Sequence, residues 1–137
     1  MAIVLFDTNI LIDHTLGIAQ ATADLSAYDD AAISAISWME TACKLTPAQI
    51  AVCDASLADA GIDIIQTTPF IMRAAARLRG RTSKKLPDCI ILATAEAHGR
   101  LVVTRNISDF GATTRAKVRI PYRLTNGVIT DVAPLPT

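Results

Sequence analysis

Hydrophobic and polar positions along this chain fall into short blocks of two kinds, and the two kinds alternate. AIVLFD, residues 2–7, is β-branched and aromatic and ends abruptly on a carboxylate, the pattern of a buried strand. Helical patterning follows through about residue 28, and AAISAIS (31–37) reads as a second short strand running into a helix. WMETACKL and PAQIAVCDASLADAG predict two helices, divided by Pro47 and stopped at Gly61. IDIIQ (62–66) predicts a third strand. PFIMRAAARLRG predicts a helix with Pro69 at its start and Gly80 at its end, and LPDCIILATAEAHG (86–99) repeats that signature with Pro87 and Gly99. LVVT (101–104) and VRIPY (118–122) predict the last strands, and Asn126-Gly127 marks a small hairpin in the tail. Such alternation predicts an α/β fold around a mostly parallel sheet. No repeat, linker or low-complexity stretch divides the chain, so residues 1–137 are expected to form one domain.

Composition adds two things. Hydrophobic residues make up 51% and charged residues 19%, with a mean hydropathy of +0.37. A domain of this size has limited interior, so part of that apolar surplus is expected on a surface covered by a partner or a second copy. No segment approaches the roughly 18 apolar residues of a membrane span, and IVLF is too short for a signal peptide; the expected compartment is the cytoplasm. Cys43, Cys53 and Cys89 are odd in number and lack a CxxC pair, which argues for buried thiols over disulfides or zinc.

The net charge of zero conceals a division. Residues 1–68 hold nine acids and one base, Lys44, whereas residues 69–137 hold four acids and the other twelve bases. Six of those bases fall in RAAARLRGRTSKK (73–85), which contains no acid. Arg77, Arg79, Arg81, Lys84 and Lys85 thus form either a polyanion-binding stretch or a solvated helix face.

In open parallel sheets functional groups gather at the carboxyl ends of the strands. Asp7 ends the first strand, Glu40 lies early in the helix after the second, and Asp88 stands at the first or second position of its helix. Asn106 and Asp109 follow the strand LVVT in TRNISDF. Each has a bland role available: Thr8 or Asn9 could cap a helix, Asp88 could serve a helix dipole, and Asp109 could cap a turn. Convergence of four acids and an amide on one edge is what those roles leave unexplained. Gathered carboxylates repel unless something neutralises them, and Mg²⁺ is the natural candidate because it prefers carboxylate oxygens and water. An acidic cluster beside a basic stretch suits a metal-dependent nuclease.

DTNILID, the segment from Ser34 to Glu40, LPDCIILATAEAHG and VVTRNISDF together resemble the PIN-domain ribonucleases, and in particular the VapC-type toxins of bacterial toxin–antitoxin pairs. The resemblance covers nearly the whole chain in the right order. It implies a three-layer α/β/α PIN-like fold with a central, mostly parallel four- to five-stranded sheet. It also implies Mg²⁺- or Mn²⁺-dependent endonucleolytic cleavage of RNA, a homodimer, and an antitoxin partner. Asp7, Glu40 and Asp88 match the family's acids as metal ligands. The fourth acidic place falls on Asp109 or on Asn106, where many members carry Asp. Thr8, Asn9 and Thr104 match small polar supports of the site, and Arg105 is placed either at a substrate phosphate or at an ordinary helix-end position. His14 and His98 read as core or surface residues, and Trp38 as a packing residue. Two rival readings are a non-catalytic PIN-like RNA-binding or scaffolding protein and a haloacid-dehalogenase-like phosphatase. The phosphatase wants a second Asp where this chain has Asn9.

Overall fold

Ile3–Phe6 forms β1, and its alternation sets the architecture. Val4 and Phe6 face one side of the sheet, packed with Ile10, Leu25, Ile33, Leu57, Val103 and Tyr122. Leu5 faces the other side, among Ile71, Leu78, Leu92 and Val102. A strand covered on both faces must be apolar at both parities, and the unbroken run IVLF meets that demand.

The computed structural model describes residues 3–106 and 117–134. β1 pairs in parallel with β2 (Asp30–Ser34) and β4 (Leu101–Val103), β2 with β3 (Ile62–Ile65), and β4 with β5 (Val118–Arg119), giving the order β3-β2-β1-β4-β5. Helices α1 (Thr8–Thr15), α2 (Ala19–Leu25) and α4 (Pro47–Asp59) supply the core on the Phe6 face. α5 (Pro69–Arg81) and α6 (Leu86–His98) supply it on the Leu5 face. α3 (Ala35–Ala42) follows β2 directly, and its Ile36 and Trp38 reach the two cores. β6 (Arg123–Thr125) and β7 (Val128–Thr130) form the tail hairpin, turning at Asn126 and Gly127 with φ of 51° and 77°. These layers are the α/β/α arrangement with a five-stranded parallel sheet that the sequence led one to expect.

Local chemistry explains the boundaries. Thr46 and Gln49 form a capping box in front of Pro47, and Gly99 ends α6 in the left-handed region at φ 61°. The long helical pattern of residues 8–28 is in fact two helices, because the chain reverses at Gly17 with φ 80°. Gly80 lies inside α5 and does not end it; Thr82 closes the helix by donating its hydroxyl to the Leu78 carbonyl at 2.8 Å. Leu86 opens α6, so Asp88 is its third residue, and the strand in VRIPY shrinks to Val118–Arg119. Cys53 and Cys89 are buried as expected, whereas Cys43 is exposed. Among the described residues no helix is long and apolar enough to cross a membrane.

Candidate active site

Parallel register carries distant segments to one edge. Phe6 stands between Ile33 and Val103, so the residues that follow them, Asp7, Ser34 and Thr104, all emerge at the carboxyl ends of their strands. Backbone bonds extend that alignment, with the Asp7 N–H donating to Val103 O at 2.9 Å and the Thr104 N–H to Arg119 O at 3.0 Å.

Asp7 is buried and is itself the N-cap of α1. One carboxylate oxygen accepts the Thr8 N–H at 2.7 Å and the other accepts the Thr104 hydroxyl at 2.8 Å. The Thr104 oxygen in turn accepts from the Asn9 amide at 3.2 Å and the Asn106 N–H at 3.0 Å. A hydroxyl has one proton and two lone pairs, so all of its capacity is spent on orienting Asp7, Asn9 and Asn106. The Asn9 carbonyl oxygen accepts the Arg105 N–H at 3.3 Å. Thr8 and Asn9 therefore do not cap the helix they begin.

The Thr8 hydroxyl lies 2.8 Å from Glu40 Oε1 and 3.0 Å from Ser37 Oγ. A carboxylate only accepts, so Thr8 donates to Glu40 and Ser37 donates to Thr8. Asp7 and Glu40, 33 positions apart in the sequence, are thus joined through the single residue Thr8. These bonds, from a backbone N–H and two hydroxyls, fix the direction in which the two carboxylates point.

Asp88 stands half-buried in the first turn of α6. α6 ends just before the amino end of β4, so a helix of about 20 Å laid along the sheet starts near the carboxyl-end edge. Only residues 82–85 separate α5 from α6, which makes the two helices an antiparallel pair. Arg79, Arg81, Lys84 and Lys85 consequently cluster around the junction that leads into Asp88. Arg79 also donates to the Thr82 carbonyl at 3.2 Å.

Two expected nucleic-acid residues lie elsewhere. Arg77 lines a groove of about 590 Å³ with Ile3, Phe70, Gly99 and Arg100, at the amino-end side of the sheet. Arg105 grips Asp13, with Nε at 2.6 Å and Nη2 at 3.2 Å from its two oxygens. Asp109 lies outside the described residues. Among the described residues no three His, Cys, Asp or Glu side chains are close enough to form a ready-made metal cage.

The remaining candidates have structural work. His14 sits between Thr22 Oγ1 and Ser56 Oγ, both at 2.8 Å, and burial lowers its pKa. Trp38 donates to Asp54 at 2.8 Å while packing on the core. Burial pushes the Cys53 and Cys89 thiols up, away from a nucleophilic thiolate. Ser37 and Asp13 escaped the sequence reading. Ser37 shows no signal beyond its place three residues before Glu40. Asp13 had one, as a charge among the apolar positions of NILID that burial obliges to find a partner.

The profile of the PIN domain family matches residues 4–113. A chain of a toxin–antitoxin complex from Klebsiella pneumoniae is similar at 38% identity and a TM-score of 0.76, over 88% of this chain and 99% of that one. FitAcB from Neisseria gonorrhoeae matches at 25% identity and a TM-score of 0.63, over 85% of this chain and 96% of that one. VapBC2 from Rickettsia felis, bound to a DNA fragment from its promoter, shares the fold at 20% identity and a TM-score of 0.67, over 85% and 97%. Comparison with curated proteins finds no match. With a family profile spanning most of the chain and a parallel sheet that gathers Asp7, Thr8 and Thr104 at its carboxyl-end edge, this chain belongs to the PIN domain family.

Proposed function

We propose that this chain is a VapC-type toxin of a toxin–antitoxin pair, an endoribonuclease that uses Mg²⁺ or Mn²⁺ and acts in the cytoplasm. The observation that carries the reading is the Asp7–Thr8–Glu40 linkage at the carboxyl-end edge, which brings two carboxylates from distant segments together and orients both. The similar Klebsiella pneumoniae chain, at 38% identity, comes from a toxin–antitoxin complex, which supports an antitoxin partner. Retention of Asp7, Glu40 and Asp88 speaks against a non-catalytic PIN-like protein, and Asn9 speaks against a phosphatase.

The donor set fits a hard cation. Mg²⁺ commonly takes one or two direct carboxylates and fills its remaining positions with water, so a cage of three protein ligands is not required. Asp7 and Glu40 would hold it, with Asp88 and either Asn106 or Asp109 completing the site. Bound there, the cation lowers the cost of deprotonating a water and neutralises charge that develops on the phosphoryl oxygens. The chain's own residues do the rest. Thr8 and Thr104 keep the carboxylates from turning away, and Asn9 holds the turn after β4. Arg79, Arg81, Lys84 and Lys85 draw the RNA backbone toward Asp88 by its phosphate charge. A second copy of the chain is the proposed cover for apolar side chains such as Leu16, Val52 and Phe70, which are 73%, 71% and 67% exposed.

The test is to incubate purified protein with total RNA, with and without Mg²⁺ or Mn²⁺, and to sequence the new ends. Discrete cleavage that a chelator abolishes is the expected result. Cleavage unaffected by the chelator, or none in either metal, overturns the reading.

A further inference from the structure

We propose that Asp13, Arg105 and Tyr122 form a clamp that positions the turn Thr104–Asn106 against Asp7, so that Arg105 serves the reaction through that turn and not by touching RNA. The inference rests on the nuclease reading for its catalytic consequence and on geometry for the clamp itself. Asp13 is 2% exposed and takes three donors: Arg105 Nε at 2.6 Å, Arg105 Nη2 at 3.2 Å and the Tyr122 hydroxyl at 2.7 Å. A buried carboxylate without such partners is costly, and a forked guanidinium pair is the strongest way to satisfy one. Arg105 is therefore committed to Asp13.

The three residues come from α1, from the turn after β4 and from the segment between β5 and β6. α1 is the helix that begins with Thr8 and Asn9, so Asp13 and the edge residues belong to one rigid body. Arg105 directly follows Thr104, whose hydroxyl donates to Asp7. Its backbone N–H is held by Asn9, and the next N–H, of Asn106, is held by Thr104. The turn is thus fixed twice, through its backbone on Asn9 at the edge and through the Arg105 side chain on Asp13, about one helical turn deeper on α1. The Tyr122 ring is buried, and its hydroxyl pKa is raised by burial and by the bond to Asp13, so it stays a donor.

The experiment compares Arg105→Gln, Asp13→Asn, their double variant, Arg105→Lys and Tyr122→Phe with the wild type, the last being the mildest should a charge variant fail to fold. Amide exchange at Arg105 and Asn106 in the absence of metal, Mn²⁺ affinity by calorimetry, and kcat and KM on RNA across salt are the readouts. Arg105→Gln should speed exchange at those two amides by roughly tenfold or more while Leu5 and Val102 keep wild-type protection. Mn²⁺ should bind more weakly, and kcat should fall by about tenfold with KM and its salt dependence unchanged. The double variant should be no worse than either single, and Arg105→Lys should recover only part of the loss. Tyr122→Phe should show the same changes at about a third of the size. A raised KM with a salt slope flatter by about one unit, and unchanged amides, would put Arg105 on a phosphate and overturn the clamp. Equal loss of protection at Leu5 and Val102 would also overturn it, as a general stability effect. If the wild type cleaves no RNA, the nuclease reading falls, and exchange together with Mn²⁺ affinity still decides the clamp.

Discussion

At the amino-end edge of the sheet, Arg100 lays its guanidinium against the Val4 carbonyl at 3.1 Å and the Asp30 carboxylate at 2.9 Å. At the carboxyl-end edge, Asp7 and Glu40 receive hydroxyl and amide donors instead. Both edges must satisfy polar groups where strands stop, and both have an acid and strand-end backbone to deal with. The first solves the problem with a cation and leaves the local charge near balance. The second orients its acids through hydroxyl and amide groups that tie Asp7, Thr8 and Glu40 together, while the nearby Arg105 is spent on Asp13. Polar residues at a strand end are thus not by themselves a site. What marks this edge is that acids from distant segments are held close together and aimed by one network of hydrogen bonds.

The comparison breaks most sharply at Asp7. Asp7→Asn preserves the shape of the side chain but removes the charge and one of its two accepting oxygens, and it should lower RNA cleavage by about 10³-fold or more. Glu40→Gln and Asp88→Asn should do the same, and pairs of these changes should cost little beyond one, because the carboxylates act as a unit. Thermal stability without metal should stay level or rise for Glu40→Gln, which keeps an oxygen for the Thr8 hydroxyl while relieving repulsion among the acids. Initial rates with Mn²⁺ and melting curves on the same preparations check both halves. Wild-type cleavage by Asp7→Asn would reduce the edge to a capping arrangement.

Arg100→Met reverses the expectation. Its side chain is 11% exposed and satisfies a strand-end carbonyl, so the change should cost about 1–2 kcal/mol of stability, the half-exposed Asp30 limiting the electrostatic share. Cleavage per folded molecule should be unchanged. Denaturant unfolding alongside the cleavage assay separates the two effects.

How far these roles could be read in advance depended on how local their causes are. β1, the Pro47, Pro69 and Pro87 helix starts and the Asn126-Gly127 turn are decided by a few neighbouring residues, and the sequence showed them. The end of α5 was misplaced because Gly80 is a permissive residue and Thr82 supplied the actual stop. The placement of Asp7 and of the turn that carries Asn106 at one edge followed from the parallel α/β pattern alone. Whether Arg105 met a phosphate or a carboxylate could not be read that way, because Asp13 and Tyr122 lie 92 and 109 positions apart from the groups they bind. Arg77 and Arg81, four residues apart on α5, look equivalent in the basic run, yet Arg77 lines a groove at the amino-end side.

That last distinction yields the third prediction. Replacing Arg79, Arg81, Lys84 and Lys85 together by Gln should weaken RNA binding by roughly tenfold at moderate salt and flatten its salt dependence by up to about four units. Arg77→Gln should change neither. Filter binding across a salt series reads both quantities, and equal effects from Arg77 and from any one of the four would erase the contrast between the two edges.

The smallest effect concerns a carboxylate fixed to neither edge. Asp24 on α2 is buried, and burial pushes its pKa up to about 6, with Arg119 and then Tyr28 pulling the other way. Here desolvation outweighs a cation. The raised pKa favours the protonated form in the folded state relative to the unfolded chain, whose value lies near 3.8. Its contribution to stability is therefore complete below about pH 4 and is lost as pH rises through about 6. Asp24→Asn mimics the protonated form at every pH, so its melting temperature should gain on the wild type by a few degrees between about pH 4 and pH 7. Melting curves at half-unit pH steps measure that difference. A gap that stays flat across the window would mean that Arg119 compensates the buried charge fully, and Asp24 would then belong with Asp30 as an acid cancelled by its arginine.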